Sequence, residues 1–276
     1  MELLTVILIL ILTGIGVGFA EGLLGVGGCF IMVPVTFFLF TEMGYSPDVA
    51  LMLAFGSNLL VVFPTAISGA WAHTKKGAVL WKAGIVLGVC GLVGALIGST
   101  IASQLLNEAI LTPVFGIVIG LGAVGMLIRK PQEIEEDPKD NPLLLAACGL
   151  PIGIISGMIG IGGGILTVPV LAMGLKYEMH RAVGTSLSMM IFTSFAGSIG
   201  YMINGFSVPD LPPFSIGYVN LLAWACLAIS SIPVAIIGAR IAHRLPAKQL
   251  RYLFIAVMFY VALKVIGVFD WLGLTI

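Results

Sequence analysis

The chain has 276 residues, of which 59% are hydrophobic and only 9% charged, with no formal net charge. Its mean hydropathy is +1.14, whereas soluble domains carry about 25% charged residues. Too little polar surface is left to cover a water-soluble core, the segments lack the alternation of an outer-membrane barrel, and the zero net charge gives no footprint for nucleic acid.

Taken in order, apolar segments span roughly 3–40, 49–72, 83–102, 109–128, 143–175, 182–203, 217–240 and 252–274. Consecutive runs of 18 or more apolar residues describe a multispanning α-helical protein in a lipid bilayer. The opening "MELLTVILILIL" has no basic n-region and no cleavage site, so it is expected to stay in the folded chain. Residues 129–142, "RKPQEIEEDPKDNP", hold eight charged residues and three prolines and read as a linker between a first repeat, 1–128, and a second, 143–276. Cys29, Cys90, Cys148 and Cys226 are far apart in apolar context and are expected to be packed as small hydrophobes.

The two sides of the linker resemble each other. "GFAEGLLGVGGCFIMVPV" (18–35) aligns without gaps on "GIISGMIGIGGGILTVPV" (153–170), with eight of eighteen positions identical. "AFGSNL" (54–59) then matches "AVGTSL" (182–187), and "GALIGSTIA" (94–102) resembles "VAIIGARIA" (234–242), in the same order. Tandem repeats are a common plan for secondary transporters. Basic residues distinguish the halves: loops 73–82, 176–181 and 240–251 carry Lys, Arg and His, whereas 41–48, 103–108 and 205–216 carry no Lys or Arg. Each basic loop has a bare counterpart in the other half. By the positive-inside rule the repeats are inverted, each crossing the membrane an odd number of times.

Odd crossing constrains the glycine-rich segments. About 33 residues at 143–175 are too many for one helix of ~20 and too few for two full helices with a turn. Two short helices meeting at the glycines as a hairpin, followed by three full spans, satisfy both length and charge. A single long tilted helix is the competing description, and it conflicts with the charge pattern. The expected fold is therefore all-α and polytopic, with two inverted repeats, each a Gly-broken helical hairpin plus three spans.

The breaks are the first candidate site. They are Gly25, Gly27 and Gly28 in the first repeat and Gly160, Gly162, Gly163 and Gly164 in the second. Glycine in a helix interior costs about 1 kcal/mol relative to alanine, and Pro34 and Pro169 follow six residues after Gly28 and Gly163. Unwound backbone in a membrane must be buried in protein or line a wet cavity, and a half-helix N-terminus offers N–H groups to an anion. Close helix packing is the alternative use of the same glycines. Ser57, Asn58, Thr185 and Ser186 lie mid-span, where they either donate to an anion or join helices. Glu21 is the only acid well inside an apolar segment, and its counterpart is Ser156. It is either a coupling site for a proton or Na+, or a carboxylate tied to backbone or lying near a membrane face.

Other signals are discounted. "GLGAVG" (120–125) fits a dinucleotide fingerprint but lacks a βαβ context. "GIVLG" (84–88) and "GALIG" (94–98) read as packing motifs. His73, His180 and His243 lie in or beside loops, far apart in sequence, and are expected to be solvated; Arg240 is expected to snorkel. No Ser/His/Asp set, P-loop or metal-ligand cluster is present in the sequence, so no cofactor or metal is expected, and a hydrolase or ATP-driven pump is disfavoured.

The doubled element "GLLGVGGCFIMVP" (22–34) and "GMIGIGGGILTVP" (157–169), with "AVGTSL" and "GARIAHRLP" (238–246), resembles the TauE/SafE sulfite exporter family over nearly the whole chain. Cys29 in place of a third glycine and "GSN" in place of "GTS" depart from the pattern in the first repeat. The resemblance implies secondary transport of small sulfur-containing anions, such as sulfite or organosulfonates, across the cytoplasmic membrane. A passive anion channel on the same fold and a membrane-embedded enzyme are the alternatives.

Overall fold

The computed structural model describes residues 3–105, 116–117, 120–121, 123–128 and 141–265. The charged linker up to residue 140 and half of the apolar segment 109–128 lie outside these residues.

The first half contains α1 (Leu3–Leu24), α2 (Cys29–Glu42), α3 (Pro47–Thr74) and α4 (Trp81–Leu105). The second contains α5 (Pro142–Ile159), a short α6 (Gly164–Pro169) continued by a π-helical turn (Val170–Gly174), α7 (Met179–Asn204), α8 (Leu221–Ala242) and α9 (Ala247–Val265). A two-residue hairpin, β1 (Ser215–Ile216) paired with β2 (Val219–Asn220), leads into α8. Among the described residues six helices are long and apolar enough to cross a membrane: α1, α3, α4, α5, α7 and α8. The chain is thus an all-α polytopic protein.

Both glycine clusters interrupt the helix, but not between two short arms. The first arms are long, 22 residues in α1 and 18 in α5, which is about 33 and 27 Å of helix. Only the second arms are short, 14 residues in α2 and six in α6 before the π turn. The single glycines of α1 and α5 keep helical backbone while packed closely on α8 and α4, positive φ begins only at the clustered glycines, and Pro151 is absorbed within α5. Pro34 likewise sits inside α2. Pro169 ends the regular α6, after which the chain takes the wider turn.

The halves interlock rather than sit side by side. Along α1, Gly14 lies against Leu227, Gly18 against Ser231 and Gly22 against Ala235 of α8, so these helices run parallel. The equivalent pair does the same: Gly149, Gly153 and Gly157 of α5 lie against Leu87, Gly91 and Ala95 of α4. At each of these glycines a side chain would collide with the facing backbone, which is how small residues let apolar helices approach closely. In the same way, Gly84 and Gly88 of α4 pack on Ser188 and Phe192 of α7, and Gly94 and Gly98 pack on α5.

At the centre, α3 and α7 run antiparallel, with Phe55 beside Tyr201, Phe63 beside Phe195 and Gly69 beside Leu187. Helix α3 runs with α8, since Leu60 meets Trp224 and Thr65 meets Ser231. Helix α4 runs with α7, since Gly84 meets Ser188 and Ser99 meets Gly200. Helices α1, α3 and α8 therefore point one way and α4, α5 and α7 the other, so α1, α3 and α4 are each antiparallel to their counterparts α5, α7 and α8. Two consequences follow. Because α3 runs in the direction of α1, α2 carries the chain back, as a hairpin must. The three basic loops all fall at the end towards which α1, α3 and α8 point. The outer faces of the flanking helices stay apolar and exposed, as with Leu8, Leu12, Val89, Val93 and Ile229.

Candidate functional site

The two breaks have the same backbone. Gly25, Gly27 and Gly28 have φ of +67°, +82° and +56°, and Gly160, Gly162 and Gly163 have +67°, +80° and +97°. These are left-handed conformations that glycine adopts without steric cost. Each first arm closes on a carbonyl one turn back: Gly25 N–H donates to Glu21 O at 2.8 Å, and Ile161 N–H donates to Ser156 O at 3.1 Å. Each second arm restarts on the last positive-φ residue. Met32 N–H donates to Gly28 O at 3.1 Å, and Thr167 N–H donates to Gly163 O at 2.9 Å. Among the described residues, no backbone carbonyl accepts from the N–H of Gly28, Cys29 or Phe30, nor from that of Gly163, Gly164 or Ile165, and in the first break the N–H groups of Cys29 and Phe30 face the Cys29 thiol. Helix starts leave such donors free.

The breaks face each other. A Cβ on Gly27 would stand 2.6 Å from Ile161 O, and one on Gly164 would collide with Gly25 O. Both breaks are buried. Equivalent side chains guard them: Val62 lies against Gly162, and Met190 lies against Gly27.

The polar pairs then separate by role. Asn58 Nδ2 donates to Gly160 O, and its counterpart Ser186 Oγ donates to Gly25 O at 3.2 Å. Each half thus holds a carbonyl at the other half's break. Ser57 Oγ accepts from Asn220 N–H at 2.9 Å, and Thr185 Oγ1 accepts from Leu80 N–H at 3.1 Å. These two hydroxyls fasten the entries to α8 and α4, one residue before each helix begins. Sequence reasoning placed all four residues together at the breaks; the structure puts Asn58 and Ser186 there in contact.

Several buried polar atoms stand without a hydrogen-bond partner among the described residues: both Glu21 carboxyl oxygens, Asn58 Oδ1 and Ser156 Oγ. All three residues are fully buried. Glu21 and Ser156 are repeat equivalents, so each half leaves an unsatisfied side chain one turn before its break. Unpaired buried polar groups cost about 1–3 kcal/mol each, and such atoms mark where a ligand, ion or water completes the set.

Other site residues escaped the sequence. Thr193 Oγ1 donates to Gly162 O at 2.6 Å, and Tyr201 Oη donates to Gly157 O at 3.0 Å. The histidines correct an expectation. They gather at one end, where His73 is fully buried with Nε2 2.9 Å from Gly22 O while His180 and His243 keep partial exposure. His73 Nδ1 lies 2.9 Å from His243 Nε2, and His180 stacks on His243. The three basic loops converge at one end, which brings residues distant in sequence into contact. The repeat alignment carried the available signal, because His73 and Tyr201 stand at the same distance beyond the "GSNL" and "GTSL" blocks. The cysteines are all free and at least partly buried. No group of three His, Cys, Asp or Glu residues suited to a metal occurs among the described residues.

Comparison with known proteins agrees with this architecture. The chain is 32% identical to a "Probable membrane transporter protein" of Methanocaldococcus jannaschii over 93% of its own length and 94% of the relative's. It is 27% identical to a protein of the same description from Haemophilus influenzae, covering 94% of this chain and 98% of that one. A Bacillus subtilis relative, also described as a probable membrane transporter protein, is 29% identical over 71% of this chain and 78% of its own. No solved structure is significantly similar. The model of the family described as "Sulfite exporter TauE/SafE" matches residues 10–265, and the chain is a multi-pass membrane protein that belongs to that family.

Proposed function

We propose that the protein is a secondary transporter of small sulfur-containing anions, such as sulfite or an organosulfonate, in the cytoplasmic membrane, and not an enzyme. The observation that carries this reading is the pair of opposed glycine breaks, each presenting at a buried helix start N–H groups that no backbone carbonyl accepts. Such donors hold an anion without a fixed positive charge, because the helix dipole and free amides already favour it. Gly25, Gly27 and Gly28 form one wall and Gly160, Gly162, Gly163 and Gly164 the other. Asn58 and Ser186 set the distance between the walls, while Ser57 and Thr185 hold the helices that carry them.

Glu21 supplies the coupling. It is buried without a partner, and a neutral acid is the form whose burial costs least, so binding and release of a proton or Na+ would change the local charge beside the first break. The opposed directions of equivalent helices support two inverted repeats, 1–128 and 143–276, joined by the 129–142 linker. In that arrangement, rocking of one repeat against the other exposes the breaks to each side in turn.

The test is Gly162→Leu in proteoliposomes. Its φ of +80° and Val62 Cγ1 at 2.8 Å from the new Cβ leave no room for leucine. Anion uptake is expected to fall to background with membrane insertion intact, and normal uptake would overturn the site. Counterflow assays separate carrier from channel, since a channel shows conductance without trans-stimulation.

A further inference from the structure

The histidine cluster at the basic end has a definite proton arrangement. Gly22 O can only accept, so His73 carries a proton on Nε2, at 2.9 Å. With His73 neutral, its Nδ1 is a lone pair, and His243 Nε2–H donates to it at 2.9 Å. Both rings are then satisfied without charge. His180 stacks on His243 with ring centroids 5.3 Å apart. Its Nε2 faces Ala242 O and Leu245 O, each at 3.1 Å, and its Nδ1 faces Glu178 Oε1 at 3.1 Å. His180 thus has carbonyls on one side and a carboxylate on the other.

The contact spans both halves. Gly22 belongs to α1, His73 to α3, His180 to α7, and His243 follows α8. At the opposite end the equivalent contact is made by a different residue. Tyr201 Oη donates to Gly157 O at 3.0 Å, where Gly157 is the counterpart of Gly22 and Tyr201 that of His73. One end is therefore tied through an imidazole, whose ring can take up a second proton, and the other through a phenol, which cannot.

We propose that the His73–His243 pair is a proton-binding latch that holds the basic end closed while both rings are neutral, with Tyr201 as its proton-insensitive counterpart. This deepens the transporter reading by naming where pH acts, and its test does not require transport. The groups facing His243 are His73, His180, Lys76 and Glu178. Burial holds His243 below its ordinary value of 6.5, helped by His180 and Lys76 and opposed by Glu178. A lowered histidine value means that the neutral form is favoured in the closed contact. The latch is thus fully formed above the ordinary value and lost as pH falls through the lowered one. The added proton goes to His243 Nδ1 and leaves its Nε2–H donor to His73 in place, so it loosens the contact by repulsion: a positive ring then faces Lys76.

Hydrogen–deuterium exchange in nanodiscs, corrected for intrinsic rates, tests the latch between pH 8 and 5. Protection of segments 18–25 and 69–80 is expected to fall by about tenfold or more on acidification, the response of a contact that takes up one proton over this range. Segment 196–204 is expected to hold its protection. His73→Tyr, which installs the residue of the other end, is expected to flatten the response. His243→Gln, which keeps a donor but does not titrate, is expected to flatten it also and decides the matter where His73→Tyr does not fold. A flat wild-type profile, or a response that survives in both variants, overturns the latch. Inactive proteoliposomes with the pH response intact would instead count against the transporter reading alone.

Discussion

The two glycine breaks are nearly the same object in backbone and differ in what surrounds them. Both have three left-handed residues in the same spacing. Yet the first has Cys29 where the second has Gly164, Glu21 where the second has Ser156, and His73 at the place of Tyr201. On the transporter reading proposed above, the shared part holds the anion equally from either direction. Glu21 and His73 of the first half stand where the second half has Ser156 and Tyr201. In a pair of equivalent halves, direction and energy coupling have to come from whatever breaks the equivalence, so on that reading these two positions are where coupling is to be sought.

The strongest way to break this comparison is to impose the first half on the second. Gly164→Cys places a side chain on Gly25 O and within 2.6 Å of Met190 Sδ. Overpacking of this kind costs about 1–3 kcal/mol, here at the point where the breaks meet, so transport should vanish and the melting temperature should fall. Val62 holds in the first half the place that Met190 holds in the second. Adding Met190→Val should therefore restore part of both, and a double variant no better than the single would show that the breaks are not interchangeable.

Removing the charge difference is the next test. Glu21→Gln should abolish gradient-driven accumulation while leaving counterflow. It should leave thermal stability nearly unchanged, since a buried amide keeps as many polar atoms without a partner as a buried neutral acid. Accumulation that survives in Glu21→Gln would remove this residue from coupling.

The smallest effects come from the ties between halves. Asn58→Ala leaves Gly160 O unpaired and should cost about 1–3 kcal/mol. Ser186→Ala should cost less, because Ser186 Oγ divides its bonding between Gly25 O and Val183 O. Thr185→Val strips one acceptor from the entry to α4, about 1 kcal/mol by analogy with a lost helix cap, with transport per folded molecule unchanged. Loss of transport in a stable Thr185→Val protein would instead put that hydroxyl on the anion.

The breaks were legible in the sequence because clustered glycines are costly in a helix and these occur twice in register. The gathering of basic loops was legible because charge bias survives without knowledge of packing. The helices themselves gave no direction to their neighbours. Helix α1 is apolar on every side, so no stripe told which face meets α8; only Gly14, Gly18 and Gly22, four residues apart, mark it in retrospect. The histidine contact could not be read at all from local sequence. His73 and His243 meet because α1, α3 and α8 end together, which depends on every pairing in the bundle. Ser57 and Thr185 align in the sequence as a pair, but their partners, Asn220 and Leu80, lie far along the chain and carry no motif.

The parallel seams between α1 and α8 and between α4 and α5 also bear on how the protein is made. The glycine face of α1 leaves the ribosome early, and its partner at Leu227, Ser231 and Ala235 is synthesised near the end. Until then that face has only lipid or a chaperone to cover it. Final assembly must follow insertion of the last crossing helices, and a chain truncated before α8 should be a substrate for membrane quality control. Conversely, halves produced as two separate polypeptides should find each other in the bilayer, because the contacts that complete each of them belong to the other.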